Sequence, residues 1–309
     1  MKKLSAFLLS AALCCAAFAA PRKVVLIGLD GWKGNLLEAC EMPNVKQLMK
    51  AGAYTARKRS VLPSSSAPNW MATLTGCCVE LHGHTQWGSK TPEIPPRVYS
   101  KYGKCPGIFG VLRAEIPNIK TACFYDWPVI GDLIEADAAN KTQCLKLSEG
   151  GKNVADAAIE YMRAERPDFI FIYFDEPDHT GHKFGFGSPE YMAQLKLLDA
   201  TVGRILQAVK DNGDCENTVF IITSDHGGFG KKHGGITLDE MESPFIIKGK
   251  GIRKNFEITD SVMSFDVAPT IARLFGVKRV PQVWVGRPAE QAFESPARWK
   301  RPNKGRMPR

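Results

Sequence analysis

Three stretches limit what this chain can fold into: "KVVLIGLD", "DFIFIYFDEPD" and "NTVFIITSDHGG". Each is a short, nearly continuous apolar run, rich in β-branched and aromatic residues, that stops at an acid. A strand that is apolar on both sides must be covered on both faces, which is the habit of parallel sheets packed between helices. The intervening segments supply the helices. "MPNVKQLMKAG" reads as a short helix closed by Gly52, and "WMATLTG" as a helix after a serine-rich loop. "NVADAAIEYMRAERP" has an apolar stripe at helical spacing, with Asn153 as cap and Pro167 as stop. "SPEYMAQLKLLDATVGRILQAVKDNG" reads as a long amphipathic helix with Ser188 as cap, Pro189 at its start and Gly213 at its end. "IKTACFYDW" adds a strand ending at Asp126, "SPFIIKG" a shorter strand, and "SFDVAPTIARLFGV" a closing helix. The expectation is an α/β fold with a mainly parallel central sheet and helices on both faces.

The two ends read differently. Lys2 and Lys3, the apolar run Leu4 to Ala17 and the small-x-small triplet Ala17-Phe18-Ala19 form a secretory signal peptide over residues 1–19. Leu13 and Cys14 stand where a lipidation signal needs a small residue. No later stretch is long and apolar enough to span a bilayer. The protein is therefore expected in the periplasm or outside the cell. Residues 20–285 are expected to form one catalytic domain, with an irregular cap over about 79–151 and a basic tail over 286–309. The net charge of +9 sits partly in "RWKRPNKGRMPR", and no nucleic-acid-binding module accompanies it. Seven of the nine cysteines lie beyond the leader. Export permits disulfides, the odd number leaves at least one thiol unpaired within a monomer, and no CxxC metal pattern exists.

Asp30, Asp175 with Asp178, and Asp225 with His226 stand at the ends of apolar strands. In open α/β sheets the ligand crevice lies outside the carboxyl ends of the strands, so these acids are expected to converge. Clustered carboxylates repel one another and take up protons unless cations are present. The chain has six histidines, His82, His84, His179, His182, His226 and His233, and four lie in the glycine-rich "PDHTGHKFG" and "SDHGGFGKKHGG". Carboxylate with imidazole suits zinc, with manganese or iron as alternatives. The donors exceed what one ion needs, so two divalent metals are expected, one activating a nucleophile and one stabilising the leaving oxygen. In "VLPSSSAPNWMATLTG", the serines are either a polar loop or contain that nucleophile.

The order of Asp30, the serine–proline–asparagine loop, "EPDHTGHKFG", "SDHGG" with a later "HGG", and "DVAPTIARLFG" resembles the alkaline phosphatase superfamily. Its similarity is to the type I phosphodiesterase and nucleotide pyrophosphatase branch, from Val24 to Val277. The resemblance implies that Ser66 is the nucleophile and that Asp30, Ser66, Asp225 and His226 hold one metal. It implies that Asp178, His182 and His233 hold the other, and that Asn69 donates to a phosphoryl oxygen. The reaction would then be two in-line displacements through a phosphoseryl intermediate. Two D-x-x-x-H pairs compete, Asp175/His179 and Asp178/His182. The family's E-P-D-x-x-G-H spacing selects the second and leaves Asp175, Glu176 and His179 in support. His82, in "ELHGHTQW" after the nucleophile helix, reads as structural.

The same superfamily contains sulfatases, with the signature [C/S]-x-P-x-R followed by TG. Ser66, Pro68, Thr75 and Gly76 fall on that spacing, but Trp70 replaces the arginine. No lysine or arginine lies in "SSSAPNWMATLTG" to hold the extra charge of a monoester. Trp70, and Trp87 with it, are expected to form an apolar wall for an aryl, nucleoside or lipid group. The expected function is an exported two-metal phosphodiesterase acting on a small-molecule, lipid or glycan phosphate ester. The alternatives are a phosphate monoesterase, a sulfatase or phosphonate hydrolase, and, more remotely, a non-catalytic metal-containing binding protein.

Overall fold

The apolar runs become the middle of one sheet. The computed structural model describes residues 23–295; the leader and the basic stretch 298–309 lie outside them. The strands are β1 (Lys23–Asp30), β2 (Ala53–Arg59), β3 (Thr121–Tyr125), β4 (Lys141–Cys144), β5 (Phe169–Pro177), β6 (Thr218–Thr223), β7 (Glu242–Lys248) and β8 (Phe256–Glu257). Their order across the sheet is β4-β3-β5-β1-β6-β7-β2-β8. β1 lies between β5 and β6, parallel to both. Only β7 runs against its neighbours β6 and β2. The three most apolar runs thus occupy the positions with most cover.

Alternation along each strand builds two cores. Val24, Leu26, Phe171, Tyr173 and Ile221 face one side, against helices Ser66–Thr75, Ile108–Glu115 and Val267–Leu274. Val25, Ile27, Ile172, Phe174 and Ile222 face the other, against helices Pro43–Ala51, Lys152–Glu165 and Pro189–Asp211. Each fully buried side chain of this size stabilises the fold by about 1.5–3 kcal/mol. The long helix starts as its sequence implies: Ser188 Oγ accepts the Tyr191 N–H at 3.2 Å, with Pro189 behind it.

Three details differ from the sequence reading. Asn153 is not a cap; Gly151, in the left-handed region, precedes the helix, and Ser148 Oγ accepts the Asn153 N–H at 2.9 Å. The stretch 79–151 divides in two. Residues 83–107 carry no helix or strand, whereas the remainder supplies helices Val79–His82, Ile108–Glu115 and Val129–Leu133, and strands β3 and β4 to the main sheet. The basic tail does not begin at 286. Ala289, Ala292 and Phe293 bury themselves in the core, and the Arg273 guanidinium lies 3.6 Å over the Phe293 ring. Apolar side chains spaced along an otherwise polar stretch were enough to dock it. No helix of the described residues is long and apolar enough to cross a membrane.

Candidate active site

The acids gather because of how the central strands end. β1 slips its register between Leu29 and Asp30, pairing Asp30 with Pro177. Gly31 follows at φ 67°, and a Cβ there would lie 2.6 Å from Asp178 Oδ1. Glycine is required both for the backbone angle and for the approach of the β5 end. β6 stops at Thr223, and Asp225 and His226 follow at once, both buried. Ser66 is the first residue of its helix, with Ser65 as N-cap.

These side chains face one another. Ser66 Oγ donates to His226 Nε2 across 3.1 Å. His226 Nε2 is also 3.4 Å from Asp30 Oδ1 and 3.1 Å from Asp225 Oδ2. His182 Nε2 lies 3.2 Å from Asp178 Oδ2 and 3.0 Å from His233 Nε2. Donor atoms of Asp178, His182 and His233 fall within 4.8 Å of one another, as do those of Asp30, Asp178 and His226. Asp178 is common to both groups.

Hydrogen bonding on the far side of each imidazole sets its tautomer. His226 Nδ1 faces the Gly227 carbonyl at 2.7 Å, His182 Nδ1 that of Lys231 at 2.9 Å, and His233 Nδ1 that of Ser64 at 3.1 Å. A carbonyl only accepts, so each Nδ1 carries the proton and each Nε2 turns a lone pair inward. Asp30 Oδ1, Asp225 Oδ2 and Asp178 Oδ1 are buried and have no hydrogen-bond partner. Inward lone pairs and orphaned carboxylate oxygens form a donor set without donors of its own, which suits divalent cations. Without cations the cluster takes up protons. Burial, then Asp225 and Asp178, drives Asp30 well above the usual carboxylate range, and burial lifts Asp225 to about 8. Asp178 holds His182 up at about 9, while burial pushes His226 and His233 down to about 3.

Seven of the site residues expected from the sequence therefore meet: Asp30, Ser66, Asp178, His182, Asp225, His226 and His233. Asp175 and His179 border the same cavity but belong to neither donor group. His82 and His84 lie elsewhere, buried, with His82 Nδ1 accepting the His84 N–H.

Two expected substrate contacts are corrected. Trp70 is 0% exposed; its Nε1 donates to Asp30 Oδ2 at 2.8 Å, beside the Tyr173 hydroxyl at 2.6 Å. It orients a carboxylate and forms no wall. Asn69 is also fully buried and spends its whole amide on the chain. Nδ2 donates to the carbonyls of Val61, Pro63 and Ser65, and Oδ1 accepts from Val61 N–H and Ser264 Oγ. No donor is left for a phosphoryl oxygen; Asn69 braces the loop that carries Ser66. The buried Lys58 Nζ in turn donates to Ser264 Oγ at 3.1 Å.

The sequence reading named Trp87 but missed Trp127 and Lys232. A cavity of about 420 Å³ opens over Ser66 and His233, with Trp87, Trp127 and Lys232 among its lining. Trp87 is 65% exposed and stacks on Trp127 at 6.4 Å and 16°. Trp127 stacks in turn on Tyr173. Asp126 and Trp127 directly follow β3 as Asp30 ends β1, so the strand-end rule that picked out Asp126 was also the signal that could have found Trp127. A larger cavity, about 520 Å³ among Tyr102, Val111, Glu135 and Arg279, contains none of the donor set.

A serine hydroxyl and a carboxylate–imidazole cluster at the carboxyl edge of a mainly parallel sheet define a site of the cation-binding hydrolase kind on an α/β fold. Residues 24–244 match the family described as type I phosphodiesterase / nucleotide pyrophosphatase, and the chain belongs to it. Venom phosphodiesterase of Macrovipera lebetinus is 27% identical over 238 residues, 71% of this chain and 27% of the relative. Human ectonucleotide pyrophosphatase/phosphodiesterase family member 1 is 26% identical over 275 residues, 82% of this chain and 29% of the relative. The chain thus spans about a third or less of the length of these relatives. The structure of human ectonucleotide pyrophosphatase / phosphodiesterase 5 superposes with TM-score 0.72 at 17% identity, over 88% of this chain and 100% of that one. At that identity the likeness is one of fold.

Proposed function

We propose that this chain is an exported phosphodiesterase or nucleotide pyrophosphatase that uses Ser66 as nucleophile and two divalent metal ions, zinc suiting the donors best. The observation that carries the reading is the placement of Ser66 Oγ against His226 Nε2, at the edge of a donor set whose carboxylate oxygens lack partners. Asp30, Ser66, Asp225 and His226 would hold one ion, and Asp178, His182 and His233 the other. Bound there, the ions would supply Lewis-acid polarisation of phosphoryl oxygens and ease ionisation of the serine hydroxyl.

The chain's own residues do the rest. Ser66 Oγ attacks phosphorus in line, the ester oxygen opposite leaves, and a phosphoserine remains. Water then attacks that phosphorus and frees Ser66, so configuration is retained after two inversions. At the start of helix Ser66–Thr75 the Ala67 N–H is taken by the Trp87 carbonyl and Pro68 has none, so the Ser66 amide is the one helix-start donor left for the anion. A diester carries one negative charge, and Lys232 is the one lysine or arginine lining the cavity. Trp87 and Trp127 offer ring faces to an aromatic or apolar ester substituent. The leader sequence and the secreted character of venom relatives support export.

A second reading, a phosphate monoesterase, is favoured by Lys232, because a cation over the cavity also suits a dianion. The test is initial rates of zinc-loaded protein on nitrophenyl esters of a phosphate diester, a phosphate monoester and a sulfate, beside Ser66→Ala. Diester preference that vanishes in the variant is expected. Monoester preference would move the assignment to the second reading, and turnover of sulfate alone would overturn both.

A further inference from the structure

Two cysteine sulfurs meet at the far end of the nucleophile helix. Cys77 Sγ and Cys105 Sγ are 3.6 Å apart, in van der Waals contact. Both side chains are buried. Cys77 Sγ also faces the carbonyls of Thr75 and Val283 at 3.3 and 3.4 Å. Cys77 directly follows Gly76, the left-handed residue that ends helix Ser66–Thr75. Cys105 stands two residues before Gly107, the N-cap of helix Ile108–Glu115. Both helices pack in the same core. Between the two cysteines runs the irregular excursion that carries Trp87.

We propose that Cys77 and Cys105 form a disulfide in the mature protein, closing residues 78–104 into a covalent loop fastened to the nucleophile helix. The two thiols lose two protons and two electrons, and an external disulfide accepts them. One cysteine thiolate displaces half of the external disulfide. The second thiolate displaces the other half from the mixed disulfide, leaving the Cys77–Cys105 bond and two external thiols. The sulfurs must close from contact to the ~2.05 Å of a bond, a movement small beside the side chains' reach. Burial sets the order of events: the pair oxidises as the chain folds, and packing then shields the bond from reducing thiolates. Cys78, next in the chain, is partly exposed and sits beside Glu80.

The bond would hold the excursion at its base. Its tip is already tied to the start of the same helix, where the Trp87 carbonyl accepts the Ala67 N–H at 3.1 Å. The Trp87 side of the cavity would then be secured at both ends of one helix.

The test is to refold the full chain in oxidised and reduced glutathione, block free thiols, digest without reductant and map the peptides by mass. A peptide pair joining Cys77 to Cys105 is expected. Blocked thiols at both positions, or a bond from either to another cysteine such as Cys78, would overturn the proposal. The oxidised protein should also melt on the order of 5 °C higher than the same preparation after reduction. Equal melting temperatures would show that the bond does not fasten the loop. Neither readout needs turnover, so the result stands apart from the phosphodiesterase reading.

Discussion

The two halves of the site are built to different specifications. Asp30, Asp225 and His226 are sealed under the sheet ends, and their spare oxygens and nitrogens are gripped from behind by Trp70, Tyr173, Gly31 and Gly227. The other half, around His182, opens to solvent: the His182 side chain is 46% exposed against 0% for His226. His182 and His233 are held by carbonyls of loops, whereas the buried half hangs on strands β1 and β6. Strands locate a side chain more sharply than loops do. The difference teaches that the surroundings of Ser66 are the rigid reference and that the half around His182 is the one open to solvent.

The sharpest way to break this comparison is Ser66→Ala. Turnover should fall by about 10⁴-fold or more while metal content and folding persist; metal loss comparable to the loss of turnover, seen by metal analysis, would make Ser66 structural. A chelator titration comes next. The ion of the His182 half should leave first, with an apparent affinity about 10–100-fold weaker than that of the buried half. A single-step release of both ions would erase the distinction. Trp87→Ala should raise KM for an aryl diester about fivefold and leave kcat within a few-fold, consistent with the loss of about 1 kcal/mol of stacking. An equal fall in kcat would place Trp87 closer to the chemistry.

The last prediction is one of stability and concerns Asp126, whose carboxylate accepts the Asp175 N–H beside the site. Burial lifts its carboxyl to about 7. A carboxyl raised in the folded state binds its proton more tightly there than in the unfolded chain. Its support for folding is therefore complete below about 3.8, the unfolded value, and is lost as pH rises through about 7. Asp126→Asn keeps an acceptor for the Asp175 N–H and removes the charge. In thermal melts the variant should gain on the parent between about pH 5 and pH 8, by on the order of 2 kcal/mol. No pH-dependent difference would mean that the carboxylate finds a counter-charge.

Legibility in the sequence followed burial and periodicity. β1, β5 and β6 were readable because a strand covered on both faces leaves an unbroken apolar run. β2, "AYTARKR", was not, because Lys58 reads as a surface charge; only the fold shows it buried against Ser264. Trp70 was misread for the complementary reason. A tryptophan near a nucleophile serves equally as a wall for substrate or as a donor to a carboxylate, and residue type does not choose. Gly28 chooses here: a Cβ there would stand 2.5 Å from the Trp70 ring, so the glycine opens the slot that lets the indole reach Asp30.

By itself the sequence determined the alternation of elements, the acids at the strand ends and the spacing of the histidine motifs, because these depend on local pattern and chain order. Only the tertiary structure decided that Asn69 spends its amide on the chain, that Trp70 turns to Asp30, and that Trp127 and Lys232 line the cavity. Those outcomes depend on register, on which hydrogen bonds are already satisfied, and on contacts between residues tens of positions apart, none of which a linear pattern encodes.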